Sequence, residues 1–237
     1  MNITSIIYKN KTGVNLDFLT ESGDIFNVEN HFKDLDFTNY DLYEFGTYLG
    51  QSICGIFEYI EFYNINFNNF VGFDSLEGLP LENLDSNNNI HWTKGKFSFN
   101  EYIKKNQITV NEYKSWLIEN NRLPNKYSDK FRLIKGFYEN TLNESNLNNL
   151  KPALFINIDC DIYTSTIQVL EFIFKNKLYV SGKTIIRYDD WSNNNMEYLT
   201  GQSKAHLEIT KKYNIDCELL LKHSYNKDPE ATWWLIK

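Results

Sequence analysis

The sequence predicts an α/β domain with a seven-stranded, mostly parallel, doubly wound sheet, and three observations predict it. First, the apolar runs Leu154–Ile158 and Lys183–Tyr188 each end in paired carboxylates, Asp159 with Asp161 and Asp189 with Asp190. Between them, Ile167, Leu170, Ile173, Phe174 and Leu178 recur at helical spacing from Thr166 to Leu178. A strand–helix–strand unit of this kind has parallel strands. Second, Asp41-Leu-Tyr-Glu-Phe-Gly46 reads as a strand entering a glycine turn and then a helix. Third, the chain closes with two strand-like runs, Glu218–Leu221 and Thr232–Ile236, joined by a turn-rich segment from Ser224 to Pro229. Five parallel units followed by an antiparallel return fit a doubly wound sheet.

Taken in order, residues 1–40 read as a β-rich lead-in, with short runs at Ile3–Tyr8, Leu16–Leu19 and Ile25–Val28. Residues 41–237 form the main domain. After the first strand, Ile53, Ile56, Phe57 and Ile60 mark one face of a helix. Asn69–Asp74 is the second strand, and an Asn-rich loop runs through Asn89 to His91, Trp92 and Lys94. Loops of that length are commonly lids or binding loops. Val110–Asn121 is a helix with Asn111 as its cap and Tyr113, Trp116 and Leu117 as its apolar face. Phe131–Ile134 is the third strand, Asn143–Asn149 a polar linker, and Ser203–Tyr213 a late helix.

The totals narrow the function. A chain of 237 residues with 42% hydrophobic residues can bury a substantial core. A net charge of -7 argues against a protein that reads a nucleic-acid backbone, which needs a basic face. No apolar run reaches the ~20 residues of a membrane span, and no signal-peptide pattern opens the chain. Cys54, Cys160 and Cys217 fit no zinc spacing. They are expected to be reduced, as in a cytoplasmic protein.

The acids carry the chemistry. Open α/β sheets bind ligands at the carboxyl edge. A single strand-end Asp is as often a cap of the next helix as a functional group. Four acids on neighbouring strands instead repel one another unless a proton or cation lies between them. Hard oxygen ligands suit magnesium, calcium or manganese. Gly46 and Gly50 would let a turn approach a nucleotide-like ligand closely, although the spacing is not that of a dinucleotide fingerprint. Asp74 ends the second strand, where such folds bind ribose hydroxyls.

Val71-Gly-Phe-Asp-Ser-Leu-Glu-Gly-Leu-Pro80 resembles a motif of the macrocin and mycinamicin O-methyltransferase family, departing from Phe-Asp-Ser-Phe-Glu-Gly-Leu-Pro only at Leu76. Further stretches match in order. Glu44-Phe-Gly-Thr-Tyr-Leu-Gly-Gln-Ser52 is similar to the first glycine motif, and Trp92-Thr-Lys-Gly95 with Phe97 to a Trp-x-x-Gly-x-Phe stretch. Gly136-Phe-Tyr-Glu-Asn-Thr-Leu142, Ile158–Thr166 and Asp189-Asp190 follow. The resemblance covers roughly residues 41–210 and implies a Rossmann-like class I methyltransferase domain using S-adenosylmethionine. It further implies that Glu44, Gly46, Thr47, Gly50 and Ser52 lie at the cofactor's methionine end. Asp74 and Ser75 would serve the ribose, Gly136 and Phe137 the adenine. Asp159, Asp189 and Asp190 would hold a divalent metal such as Mg2+, with Asp159 also beside the cofactor. Asp161 would be the base for an acceptor hydroxyl.

The spacing alone leaves open whether Asp159 and Asp161 exchange the roles of ligand and base. Trp191 stands where the family usually has Tyr, and Arg187-Tyr188 where apolar residues are common. Arg187 is therefore either a buried counter-ion to the acids or a contact to an anionic substrate, the first being the commoner role. His206 and His223 are alternative bases, although a lone His is more often structural. Trp233 and Trp234 read as core. The expected acceptor is a small sugar-containing molecule. An amine or phosphate-linked acceptor, which would need no metal, is the nearest alternative, and a non-catalytic cofactor-binding protein a more distant one. Enzymes of this kind often form homo-oligomers, and the sequence leaves that state open.

Overall fold

The structure, a computed structural model, describes Phe32 and residues 35–81, 93–191, 201–225 and 228–237, with side chains omitted at 223–225 and 228–230. The strand-like runs before residue 30, the Asn-rich loop, His91, Trp92 and the side chain of His223 lie outside the described residues. The seven strands are β1 (Asp41–Phe45), β2 (Phe70–Asp74), β3 (Phe131–Lys135), β4 (Ala153–Ile158), β5 (Ile185–Tyr188), β6 (Cys217–Tyr225) and β7 (Asp228–Ile236). They form one sheet in the order β3-β2-β1-β4-β5-β7-β6. The first five are mutually parallel, and β7 runs antiparallel to both β5 and β6. The predicted sheet is therefore the observed one.

Both faces of the sheet are covered, which explains why β1 and β4 are buried along their whole length. Helices α1 (Gln51–Phe62), α2 (Phe99–Tyr102) and α3 (Val110–Glu119) pack on one face through Ile53, Phe57, Phe99, Tyr113 and Leu117. Two short helices, α4 (Tyr138–Thr141) and α5 (Glu144–Leu147), precede β4. On the other face, α6 (Tyr163–Lys175) and α7 (Gly201–Tyr213) bury Val169, Leu170, Ile173, Ala205 and Ile209. Phe32 and Phe37 join the first core, with Phe32 edge-on to Phe155.

Several boundaries differ from the sequence reading for identifiable reasons. Helix α3 is capped by Thr109 rather than Asn111. The Thr109 hydroxyl accepts from the Glu112 amide at 3.2 Å, and the Glu112 carboxylate accepts from the Thr109 amide at 2.8 Å, a capping box. Trp116 is only partly buried on that helix. The supposed linker after Leu142 contains α5, whose first amides donate to Asn143 Oδ1. Helix α6 starts at Tyr163, ahead of the expected Thr166, because Ile162 is already in the core. Strands β6 and β7 pair from Cys217↔Ile236 to Tyr225↔Asp228 through two register shifts, so the closing hairpin is longer than its apolar runs. Trp233 is fully buried and Trp234 partly so. Among the described residues no helix is long and apolar enough to cross a membrane, and all three cysteines are free.

At the amino edge of the sheet, buried Asp41 fastens three segments. Its carboxylate accepts from Asn68 Nδ2 at 2.7 Å, the Asn69 amide at 3.2 Å and the Lys151 amide at 2.9 Å. Asp41→Ala strips these donors, and the Asn69 side-chain amide at 3.5 Å, of their acceptor and is expected to lower unfolding free energy by about 2–3 kcal/mol. Chemical denaturation checks this; an unchanged midpoint would show that water replaces the carboxylate at no cost.

Candidate active site

Strand order reverses between β1 and β4, and the crevice at their carboxyl ends is the binding position expected of such a sheet. Gly46 leaves β1 at φ +89°, and a Cβ there would lie 1.7 Å from the Asp159 carbonyl oxygen. Only glycine allows the two strand ends to approach this closely. A cleft of about 370 Å³ opens above that contact. Its walls include Gly46, Thr47, Ser52, Asp74, Ser75, Gly136 and Phe137 at one end. Asp159, Asp161, Asp189 and Asp190 line the other. Glu44 and Gly50 are not among the residues lining the cleft. Gly50 starts α1 in the left-handed region, and a Cβ on it would meet Leu117 Cδ2 at 2.4 Å, so its smallness serves packing.

The glycine loop is held by side chains. Asp74 Oδ2 accepts from the amides of Thr47 at 2.7 Å and Tyr48 at 3.0 Å, and Oδ1 from the Leu76 amide at 2.6 Å. From α3, the buried Tyr113 hydroxyl donates to Thr47 Oγ1 at 2.9 Å. Asp74 thus buckles the loop from inside, leaving little capacity on Oδ2 for a ligand. Ser75 donates to the Gly78 carbonyl at 3.1 Å and accepts from the Glu77 amide at 3.0 Å. Tyr48, Tyr138, Leu79, Leu81 and Phe97 also line the cleft. Sequence reading quoted Tyr48, Leu79, Phe97 and Tyr138 within its motifs but assigned them no role, and Leu81 it did not single out.

The carboxylates come from two neighbouring strand ends. Ligand oxygens of Asp159, Asp189 and Asp190 lie within 4.8 Å of one another. Three hard, convergent oxygens fit a divalent cation. Asp161 is not part of that triple and stands at φ +59°, an uncommon backbone for a non-glycine residue. Burial, then Asp189, Asp190 and Asp161, holds the Asp159 carboxyl well above the usual range. Burial and Asp189 push Asp161 up to about 7.

One layer below runs a buried row set by strand register: Gly72, Glu44, Asn157, Arg187 and Trp233 on β2, β1, β4, β5 and β7. Arg187 donates to Asn157 Oδ1 at 2.8 Å, forms an ion pair with Asp189, and lies 5.2 Å over the Trp233 ring. It is the buried counter-ion of the two readings. Glu44 accepts from Ser52 through Oε1, while its Oε2 and Asn157 Nδ2 are buried with no hydrogen-bond partner among the described residues. Asn157 was missed, although a polar residue inside an otherwise apolar strand was a readable signal. Gln202 was missed because the late helix was started one residue beyond it. Its side chain accepts from the Asp190 amide at 2.9 Å and donates to the Ile158 carbonyl at 3.2 Å, bridging the two acid-bearing strand ends. His206 is structural: it is buried, held to the Tyr188 hydroxyl at 2.9 Å, and shifted down to about 4 by burial.

Burial raises Glu44 to about 8, so the folded protein retains a proton there that the unfolded chain releases. Stability from that proton is complete below the unfolded pKa and is lost as pH rises toward 8. Glu44→Gln, which lacks the titration, is expected to gain roughly 1–3 kcal/mol relative to wild type between pH 5.5 and 8. Denaturant titrations at the two pH values measure this; a constant difference would mean Glu44 is not destabilised by ionising.

Solved structures share the architecture. The O-methyltransferase NovP superposes with a TM-score of 0.59 at 16% identity, covering 91% of this chain and 77% of its own. CalS11, a calicheamicin methyltransferase, gives 0.59 at 15% identity, covering 92% and 82%. The O-methyltransferase TomG from Streptomyces achromogenes, solved with SAM, gives 0.51 at 12% identity, covering 91% and 79%. Comparison with curated proteins gives no match. Residues 34–218 match the family described as Macrocin-O-methyltransferase (TylF). With a glycine loop and a carboxylate cluster meeting in one cleft, and a family match over most of its length, the chain belongs to the macrocin-O-methyltransferase (TylF) family.

Proposed function

We propose that the protein transfers a methyl group from S-adenosylmethionine to a hydroxyl of a small sugar-containing acceptor, with a divalent cation held by Asp159, Asp189 and Asp190. The observation that carries the reading is the cleft itself, in which the buckled Gly46–Ser52 loop faces four carboxylates. CalS11 is a TDP-rhamnose 3′-O-methyltransferase, which supports a sugar hydroxyl as acceptor. TomG with SAM supports the cofactor.

Methyl transfer is an in-line displacement, so the protein contributes mainly alignment. The loop amides set by Asp74 and Tyr113 present a fixed edge to the cofactor, with Gly136 and Phe137 on the adenine side. A divalent cation, when bound, lowers the pKa of a coordinated hydroxyl. Asp161, beside that site but outside the three-ligand set, is positioned to take the hydroxyl proton. Leu79, Leu81 and Phe97 give the cleft an apolar part of its wall.

Calorimetric titration with S-adenosylhomocysteine, with and without magnesium, on wild type and Asp189→Ala tests the assignment. Cofactor binding plus a magnesium signal lost in the variant is expected. Cofactor binding without any metal signal would favour a metal-free amine acceptor. Asp161→Asn keeps a residue that tolerates the left-handed backbone. It should lower kcat by about 10²–10⁴ while cofactor affinity stays nearly constant; full activity would remove Asp161 as the base.

A further inference from the structure

Arg187 lies in the second layer of the site, with a buried guanidinium reaching one of the proposed metal ligands. It is 5% exposed, fastened to Asn157 on β4, stacked over Trp233 on β7, and ion-paired with Asp189 at the end of its own strand. Register places Glu44 on the far side of Asn157 in the same row. A fixed positive charge thus sits beneath the carboxylate cluster.

We infer that Arg187 is a resident counter-cation of the carboxylate cluster, holding Asp189 in place before any metal arrives and lowering the cluster's affinity for a divalent cation. The inference rests on the metal-binding reading above. Two physical effects lead to it. Unbalanced carboxylates whose oxygens lie within 4.8 Å of one another repel and would splay the ends of β4 and β5. A guanidinium bonded to Asp189 Oδ1 balances one of them without solvent, and its anchors on Asn157 and Trp233 prevent it from swinging away. The same charge repels an incoming cation and occupies one oxygen of Asp189, leaving the other for coordination. Arg187 and the metal are therefore competing counter-charges for one set of acids. The trade is a preformed site against a weaker hold on the metal, so the ion would exchange readily in this chain.

The test uses Mn2+ as probe and the paramagnetic resonance signal of the free ion as readout, on the full chain without cofactor or acceptor. Wild type, Arg187→Met and Arg187→Lys are compared after circular dichroism has shown each to be folded. Arg187→Met is expected to bind Mn2+ roughly tenfold tighter or more, because a buried charge facing the ion is gone. Arg187→Lys, which keeps the charge, should stay within about threefold of wild type. Where the Met variant does not fold, Arg187→Gln retains a donor for Asn157 and takes its place, with the same expectation. Unchanged or weaker binding in the neutral variant, with wild type binding, overturns the inference and leaves the metal reading standing. A rise as large in the Lys variant overturns it too, since geometry rather than charge would be responsible. No binding by any of the proteins removes the metal reading and this inference with it.

Discussion

Mutual repulsion among Asp159, Asp161, Asp189 and Asp190 is the constraint around which the carboxyl edge of the sheet is arranged. These groups end two hydrogen-bonded parallel strands, so backbone pairing forces them together whatever their charges prefer. The fold answers with several devices. Arg187 neutralises Asp189 from below, and Gln202 ties the Asp190 amide to the Ile158 carbonyl, fixing the separation of the strand ends. Burial holds Asp159 and Asp161 toward their protonated forms. Under the proposed reading a bound divalent cation would complete the balance among Asp159, Asp189 and Asp190, whose ligand oxygens lie within 4.8 Å of one another.

The opposite half of the cleft is organised by hydrogen bonds to backbone rather than by charge. Asp74 accepts from two consecutive loop amides, and Tyr113 closes the loop from α3 through Thr47. These contacts shape the loop without a ligand, so less ordering entropy opposes binding. Gly46 is the joint between the halves, because its missing side chain lets the glycine loop rest on the Asp159 backbone. A displacement of either half is thereby felt by the other.

Legibility in the sequence followed how local each signal was. Strand-end acids, helical periodicity and the glycine turn are written in a few consecutive residues, and the elements they implied are present in the predicted order. The Thr109–Glu112 capping box was equally local and was overlooked in favour of Asn111, which lies inside the first turn. The row Glu44–Asn157–Arg187–Trp233 is a different matter. Its members lie on four strands far apart in the chain, and only the register makes them neighbours.

By itself, then, the sequence determined the fold class, the order of the strands and helices, and the concentration of acids at one sheet edge. Each of these follows from propensity and patterning over short windows. The tertiary structure decided which side chains share charge and hydrogen bonds across strands. It turned Asp74 inward onto the loop, set Glu44 behind the cleft instead of on its wall, and made Arg187 the partner of Asp189. Those outcomes depend on strand register and on burial, and neither is encoded in any single stretch of the chain.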